Sequence, residues 1–334
     1  MKKMTRSKKF LGALLAVLGG VCWGLSGSMG QYLFQNEGMD TIWLVPIRLG
    51  GAAAILLIFS LIRYGAKTVI APLTHKKDLI RLLIYGIAGV SFCQFTYFLT
   101  IQLSSAAVGT ILQDLSPVMI LFVGCVQQKR RPMARESLAT ALGLIGVFLI
   151  TTHGELSSLS IPASALVAGL LCAAGVTIYN VTPGPLMDEY PIAILQGWSF
   201  LMGSAIFTLL FRPWTYNYVP SAMGIFGIFF VILVGNVAAF PLYMSGVKLI
   251  GPEKGILYGF SEPITAAVIG VALLGNQFTL WDGIGFAAVF AMMGLISAKN
   301  QSSRLTEKNR PEISRSADRK LVPGAFGIPA NERP

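Results

Sequence analysis

Three ionisable side chains stand inside otherwise apolar stretches: Arg48 in "WLVPIRLGG", Asp114 in "TILQDLSPVMILF" and Glu262 in "GFSEPITAAVIG". A charge at the centre of a bilayer-spanning helix costs about 2.5–3.5 kcal/mol on insertion scales, so each marks a functional position by default. Each acid lies close to a proline, Pro117 or Pro263. Proline removes one helical hydrogen bond and frees the carbonyl four residues earlier, that of Gln113 in one stretch and Gly259 in the other. An acid beside a freed carbonyl suits a hydrated cavity that receives a cation, an amine or a proton. Arg48 offers the opposite chemistry, a guanidinium for a carboxylate. The alternatives are structural: Arg48 snorkelling to the interface or pairing with Asp114, and Glu262 bonded permanently to Tyr or Ser neighbours.

The elements that carry these residues follow from composition. Of 334 residues, 54% are hydrophobic and 12% charged, with a mean hydropathy of +0.67; soluble domains carry about 25% charged residues. The chain therefore reads as an all-α membrane protein. Its net charge of +11 does not point to nucleic acid, because the Lys and Arg residues cluster between apolar runs. Cys22, Cys93, Cys125 and Cys172 all fall in apolar segments without C-x-x-C spacing, which reads as structural thiols, with no metal and no cofactor.

A spanning helix needs about 20 apolar residues, and the pattern predicts ten: 11–34, 42–62, 79–100, 106–126, 137–151, 162–180, 192–211, 222–246, 255–275 and 280–298. The N-terminal "MKKMTRSKKF" resembles the start of a signal peptide, but its apolar stretch continues through Trp23 with no A-x-A site, so it reads as a retained first helix. With residues 1–10 cytoplasmic, every Lys and Arg of the 26 except Arg48 and Arg212 falls on the inner side, as the positive-inside rule requires. The loop at 181–191, with Asp188 and Glu189 and no basic residue, is the exception. Both termini are then cytoplasmic. The basic tail 299–334, interrupted by Pro311, Pro323, Pro329 and Pro334, reads as disordered.

At a fixed offset of 146, residues 97–124 align without a gap onto 243–270: Tyr97 meets Tyr243, Gly109 meets Gly255 and Pro117 meets Pro263. The first parts of the two halves align at an offset of 151, which pairs Gly24 with Gly175. Two copies of an odd number of helices must enter the membrane from opposite faces, the inverted arrangement that places a substrate site near the midplane. The expected units are 11–151 and 162–298, two inverted five-helix repeats. In this frame Asp114 lies about 12 Å deep and Glu262 about 10 Å deep, from opposite faces, as displaced partners.

The segments "VCWGLSGS", "WLVPIRLGGAAAI", "LSSAAVGTILQDLSPVMILF" and "GPEKGILYGFSEPITAAVIGVALLGNQFT" resemble, in order and duplication, the EamA-type transporters of the drug/metabolite transporter superfamily. The resemblance covers roughly residues 10–298 and implies a ten-helix cell-membrane carrier, not an enzyme. It implies a secondary transporter of a small metabolite or drug-like solute, often an exporter of amino acids or other metabolites, and leaves the substrate open; protonation and release of Asp114 or Glu262 during alternating access would couple that export to protons. Its partners would be the lipid bilayer, the solute and protons. Where relatives often carry a Glu after helices 4 and 9, this chain has a basic run, Lys129 to Arg131, and Asn276.

Cavity-lining candidates are Trp23, Ser26, Gln94, Tyr97, Tyr179, Trp198, Asn236, Tyr243 and Tyr258, each of which could equally be packing glue or an interfacial aromatic. "GLSG", Gly24 to Gly27, matches the serine motif of rhomboid-like intramembrane proteases, which also need an activating His; His75 and His153 fall in a loop and at a helix edge. A structural or regulatory membrane protein is the other alternative. The topology has a direct test. A fluorescent protein fused after residue 298 should be bright and alkaline phosphatase fused near residue 157 active, and the reverse pattern would invert it.

Overall fold

The computed structural model describes residues 6–104, 106–152, 154, 162–216, 218–273 and 279–308. The described chain is helical: α1 Arg6–Gln35, α2 Thr41–Tyr64, α3 Ala66–Thr74, α4 Lys76–Leu83, α5 Phe92–Leu103, α6 Ala106–Gln113, α7 Ser116–Gln127 and α8 Ala134–Thr152. There follow α9 Ala163–Val181, α10 Gly184–Glu189, α11 Ile192–Phe211, α12 Ala222–Ile232, α13 Ala239–Ile250, α14 Pro252–Tyr258, α15 Ser261–Leu273 and α16 Leu280–Lys308. Seven helical stretches are long and apolar enough to cross a membrane. Three of these are compound: α4 runs into α5 and α12 into α13 through π-helical segments, Ile84–Ser91 and Leu233–Ala238, and α6 and α7 share the span Val108–Gln127. The other three expected spans coincide with α8, with α14 and α15 together, and with Leu280–Leu295 of α16, a shorter apolar stretch.

Local chemistry explains where the helices start and turn. The Asp40 side chain caps α2 by accepting from the Ile42 amide at 3.0 Å, and Ser221 caps α12 through the Gly224 amide at 3.0 Å, each satisfying a donor the first turn leaves unpaired. Gly65 and Gly251, with φ of 78° and 86°, permit the sharp turns between α2 and α3 and between α13 and α14 that a side chain would strain.

Three expectations need correction. The spans expected at 106–126 and 255–275 are not continuous helices: the first is met by the spanning stretch Val108–Gln127, but α6 ends at Gln113 before α7 begins at Ser116, and α14 ends at Tyr258 before α15 begins at Ser261. The Gly259 carbonyl is not left free by Pro263; it accepts from the Glu262 amide at 2.9 Å, a tightened turn of the kind that re-satisfies groups beside an intramembrane proline. The tail does not leave helical structure at residue 299, since α16 continues to Lys308 through Lys, Gln, Arg, Leu and Glu, all good helix formers. Residues 309–334 and His153 lie outside the described residues, as does Asn276.

The packing exchanges elements between the two halves. The first helix, α1, lies along α13 and α15 of the second half, while α9, which opens the second half, lies along α5, α6 and α7 of the first. The remaining pairs are α2 with α11 and α8 with α16, each joining like positions of the two halves. Close approach needs small residues. A Cβ on Gly24 would stand 2.5 Å from the Glu262 carbonyl oxygen, and one on Gly175 would stand 3.0–3.1 Å from the backbone and Cβ of Cys93. The two glycines paired by the offset of 151 thus do equivalent work. Gly24→Leu should lower the thermal midpoint of the detergent-solubilised protein, by roughly the 1–3 kcal/mol of an overpacked core. Gly184→Ala, with open space around it, should leave it unchanged.

Candidate functional site

The exchange of helices brings residues distant in sequence around one pocket at the seam. From the first half come Trp23, Ser26 and Gly27 on α1, Arg48 on α2, and Cys93, Gln94, Tyr97 and Phe98 on α5. Gln113, at the broken end of α6, completes that side. The second half contributes Tyr179 from α9, Phe240 from α13 and Glu262 from α15.

Arg48 is 1% exposed. Its Nε and Nη2 donate to Asn236 Oδ1 at 3.0 and 2.6 Å, and its guanidinium lies 3.8 Å from the centre of the Phe98 ring, a cation–π contact strengthened by exclusion of water. Arg48 does not pair with Asp114: its hydrogen-bond acceptor is a neutral amide on the second π-helical segment. The register of that segment is fixed in part by Trp23, whose Nε1 donates to the Gly235 carbonyl at 3.1 Å.

Glu262 is 5% exposed and also has neutral partners. The Tyr97 hydroxyl donates to its Oε1 at 3.0 Å, and Gln113 Nε2 donates to its Oε2 at 3.3 Å. Tyr97 comes from α5 and Gln113 from α6, so this carboxylate ties the first half to α15. The pocket thus holds one cationic and one anionic side chain, each hydrogen-bonded to uncharged groups.

The other candidates divide by position. Trp23, Ser26, Gln94, Tyr97 and Tyr179 line the pocket, and Asn236 reaches it through Arg48. Tyr243 backs its wall, 4.8 Å from Trp23 between ring centres, and donates to Asn180 Oδ1 at 2.8 Å. Trp198 lies elsewhere, donating to the Val69 carbonyl at 2.8 Å, and Tyr258 is half-buried on α14. Pro117 borders a separate recess with Glu136 and Glu253, whereas Pro263 follows Glu262 at the start of α15. Asp114 occupies an apolar recess between α6 and α8, with Ile111, Leu144 and Phe148 among its neighbours. Gln113, the last residue of α6, lines the pocket, and Asp114, in the break that follows, borders the recess. Gln113, Phe98, Phe240 and the thiol pair Cys93–Cys172, 3.7 Å apart, are the residues that charge-seeking missed; Gln113 was signalled only by its place beside the helix break.

Ser26 of "GLSG" faces Gly235 and Arg48, while His75 sits in the turn between α3 and α4. Among the described residues, Ser26 therefore has no histidine beside it to act as a base. Among the described residues no cluster of three or more His, Cys, Asp or Glu could hold a metal ion.

Polar clusters join the halves at both ends of α1. At the Lys- and Arg-rich end, Arg130 bonds to Glu136 at 2.7 Å and to Glu253 at 3.2 Å, and the Glu136 carboxylate holds its guanidinium above the ordinary value. At the same end the Tyr190 hydroxyl donates to Asp78 at 2.9 Å; burial and that bond push it up to about 12, so it remains a donor at neutral pH. At the other end Ser221 donates to the Glu37 carboxylate at 2.8 Å and Tyr218 to the Glu37 carbonyl at 3.0 Å.

Comparison with known proteins places this architecture. The profile described as the EamA-like transporter family matches twice, over residues 10–152 and 163–298. The chain is similar to the uncharacterized inner membrane transporter YicL of Salmonella typhimurium, with 34% identity over 86% of this chain and 95% of the relative. It is also similar to the uncharacterized inner membrane transporter YedA of Escherichia coli K12, with 22% identity over 85% of this chain and 90% of that one. A crystal structure of a protein superposes with a TM-score of 0.71 at 16% identity, covering 90% of this chain and 99% of the other, a likeness of fold. The chain belongs to the EamA-like transporter family, with two EamA units in one polypeptide.

Proposed function

We propose that the protein is a secondary carrier that exports a small solute bearing an amine, such as an amino acid, across the inner membrane by alternating access. The observation that carries this reading is the pair Arg48 and Glu262, which line one inter-half pocket with opposite charges and only neutral hydrogen-bond partners. A permanent structural ion pair would bring such charges together; a site for a zwitterion keeps them apart. Trp23, Phe98 and Phe240 supply apolar wall for the rest of the solute. The names of YicL and YedA as inner membrane transporters support the membrane assigned.

In this reading the units 11–151 and 162–298 are inverted repeats of five helices, with both termini cytoplasmic. Several observations support it. Both halves have a π-helical segment at nearly equivalent positions and a broken helix at Asp114–Leu115 or Gly259–Phe260. The polar clusters also join only loops that the ten-helix topology puts on one side: Asp78 with Tyr190 and Arg130 with Glu253 inside, Glu37 with Ser221 outside. Arg130, Glu253, Asp78 and Tyr190 would part when the pocket opens to the cytoplasm, and the Glu37 cluster when it opens outward.

Export is driven by protons through Glu262. When the Glu262 carboxylate is ionised it holds the solute ammonium; a proton arriving from the acidic outer side neutralises it and releases the solute. Asp114, in its apolar recess, is the second coupling candidate and lacks contact with the pocket. In proteoliposomes loaded with candidate amino acids and amines, Glu262→Gln should slow proton-driven transport at least tenfold and flatten its pH dependence. Asp114→Asn should change the rate less than twofold. Unchanged rate and pH dependence in Glu262→Gln would overturn the assignment, and loss of coupling in Asp114→Asn alone would move it to Asp114.

A further inference from the structure

The pocket's anion-seeking end is more built than a lone arginine. Two polar atoms of residues that line it, Arg48 Nη1 and Ser26 Oγ, have no protein partner, nor has Nδ2 of Asn236 behind Arg48. Their residues are 1%, 2% and 0% exposed, and a buried donor left unpaired costs about 1–3 kcal/mol. Gly235 lets Ser26 and Arg48 come close to the segment that carries Asn236, since a Cβ there would stand 2.1 Å from Ser26 Oγ and 3.6 Å from Arg48 Nη2. The orientation of Asn236 is dictated by chemistry: a guanidinium has only donors, so the amide must present Oδ1 to Arg48 and turn its NH2 elsewhere.

We propose that Arg48, Asn236 and Ser26 form a carboxylate-binding site in which Asn236 is a positioning residue, a neutral acceptor that fixes the guanidinium without cancelling its charge. The site rests on the reading of the central pocket as the solute site. Two donors of a planar guanidinium fork, an amide and a hydroxyl match the in-plane lone pairs of a carboxylate. A dianion such as a phosphate monoester fits less well, because Arg48 is the one basic side chain lining the pocket and a second negative charge would be buried without compensation. An aspartate at position 236 would keep the same acceptor geometry but neutralise Arg48. It would also put an acceptor where Asn236 Nδ2 donates, so both changes act against a bound carboxylate.

The test uses the full-length protein in detergent, titrated calorimetrically with sodium benzoate and with benzamide, its neutral counterpart. Wild-type protein should bind benzoate at least about tenfold more tightly than benzamide, the scale of a charge-assisted hydrogen bond. Asn236→Asp should abolish that preference, and Ser26→Ala should weaken benzoate by about threefold. If Asn236→Asp does not fold, Ser26→Ala together with Arg48→Lys, which should also lose the preference, decides. Equal binding of the two probes by wild type, or a retained preference in Asn236→Asp, overturns the proposal. Glu262→Gln should keep the benzoate preference. Transport failing while that preference persists would indict the carrier reading, and the converse would indict this site alone.

Discussion

The structure depends on the need to keep a guanidinium charged where water is scarce. Arg48 can sit at the seam only because Asn236 and the Phe98 ring compensate it. Asn236 reaches it from a π-helical turn that packs against α1 through Gly235. Small residues along α1 are therefore tied to an electrostatic requirement as well as to packing. Had position 236 carried an aspartate, the ion pair would be closed to any third party. With a neutral partner the charge on Arg48 is not cancelled.

Glu262 meets the same difficulty differently. Its oxygens take donors from α5 and α6, and it stands in the first turn of α15, one residue before Pro263 and just after the break at Gly259–Phe260. Backbone irregularity and a buried acid thus coincide, and each helps to accommodate the other: the Glu262 amide satisfies the Gly259 carbonyl, while the interruption aims the side chain across the seam. The equivalent break in the first half delivers Gln113 in place of an acid. The pseudo-symmetry of the scaffold consequently supports an asymmetric pocket, cationic at one end and anionic at the other.

Much of this was legible in the sequence. Hydropathy located the helical segments, because a bilayer demands long apolar runs, and charge in an apolar setting singled out Arg48 and Glu262. The duplicated proline marked both helix breaks. What the sequence could not convey was side-chain direction at those breaks: Asp114 drew notice through its charge, yet the turn presents Gln113 to the seam. Aromatic residues carried no directional signal either, so Trp198, which bonds to the Val69 carbonyl away from the pocket, looked like Trp23. The π-helical segments were invisible because α- and π-turns are written in the same apolar alphabet. Asn236 was recognisable as polar, but its tie to Arg48, 188 positions away, is a property of the folded chain.

The exchange of first helices between halves also sets the timing of biosynthesis. Trp23 waits for a partner 212 residues downstream, and Val17 for one 244 residues downstream. At a translation rate of about 5–20 residues per second, α1 therefore spends roughly 10–50 s in the membrane before the surface it fits has been made. During that interval its glycines face lipid or another protein instead of α13 and α15. Assembly of the carrier is closed by its last helices, and a chain that stops short of them leaves its first helix without its native neighbours.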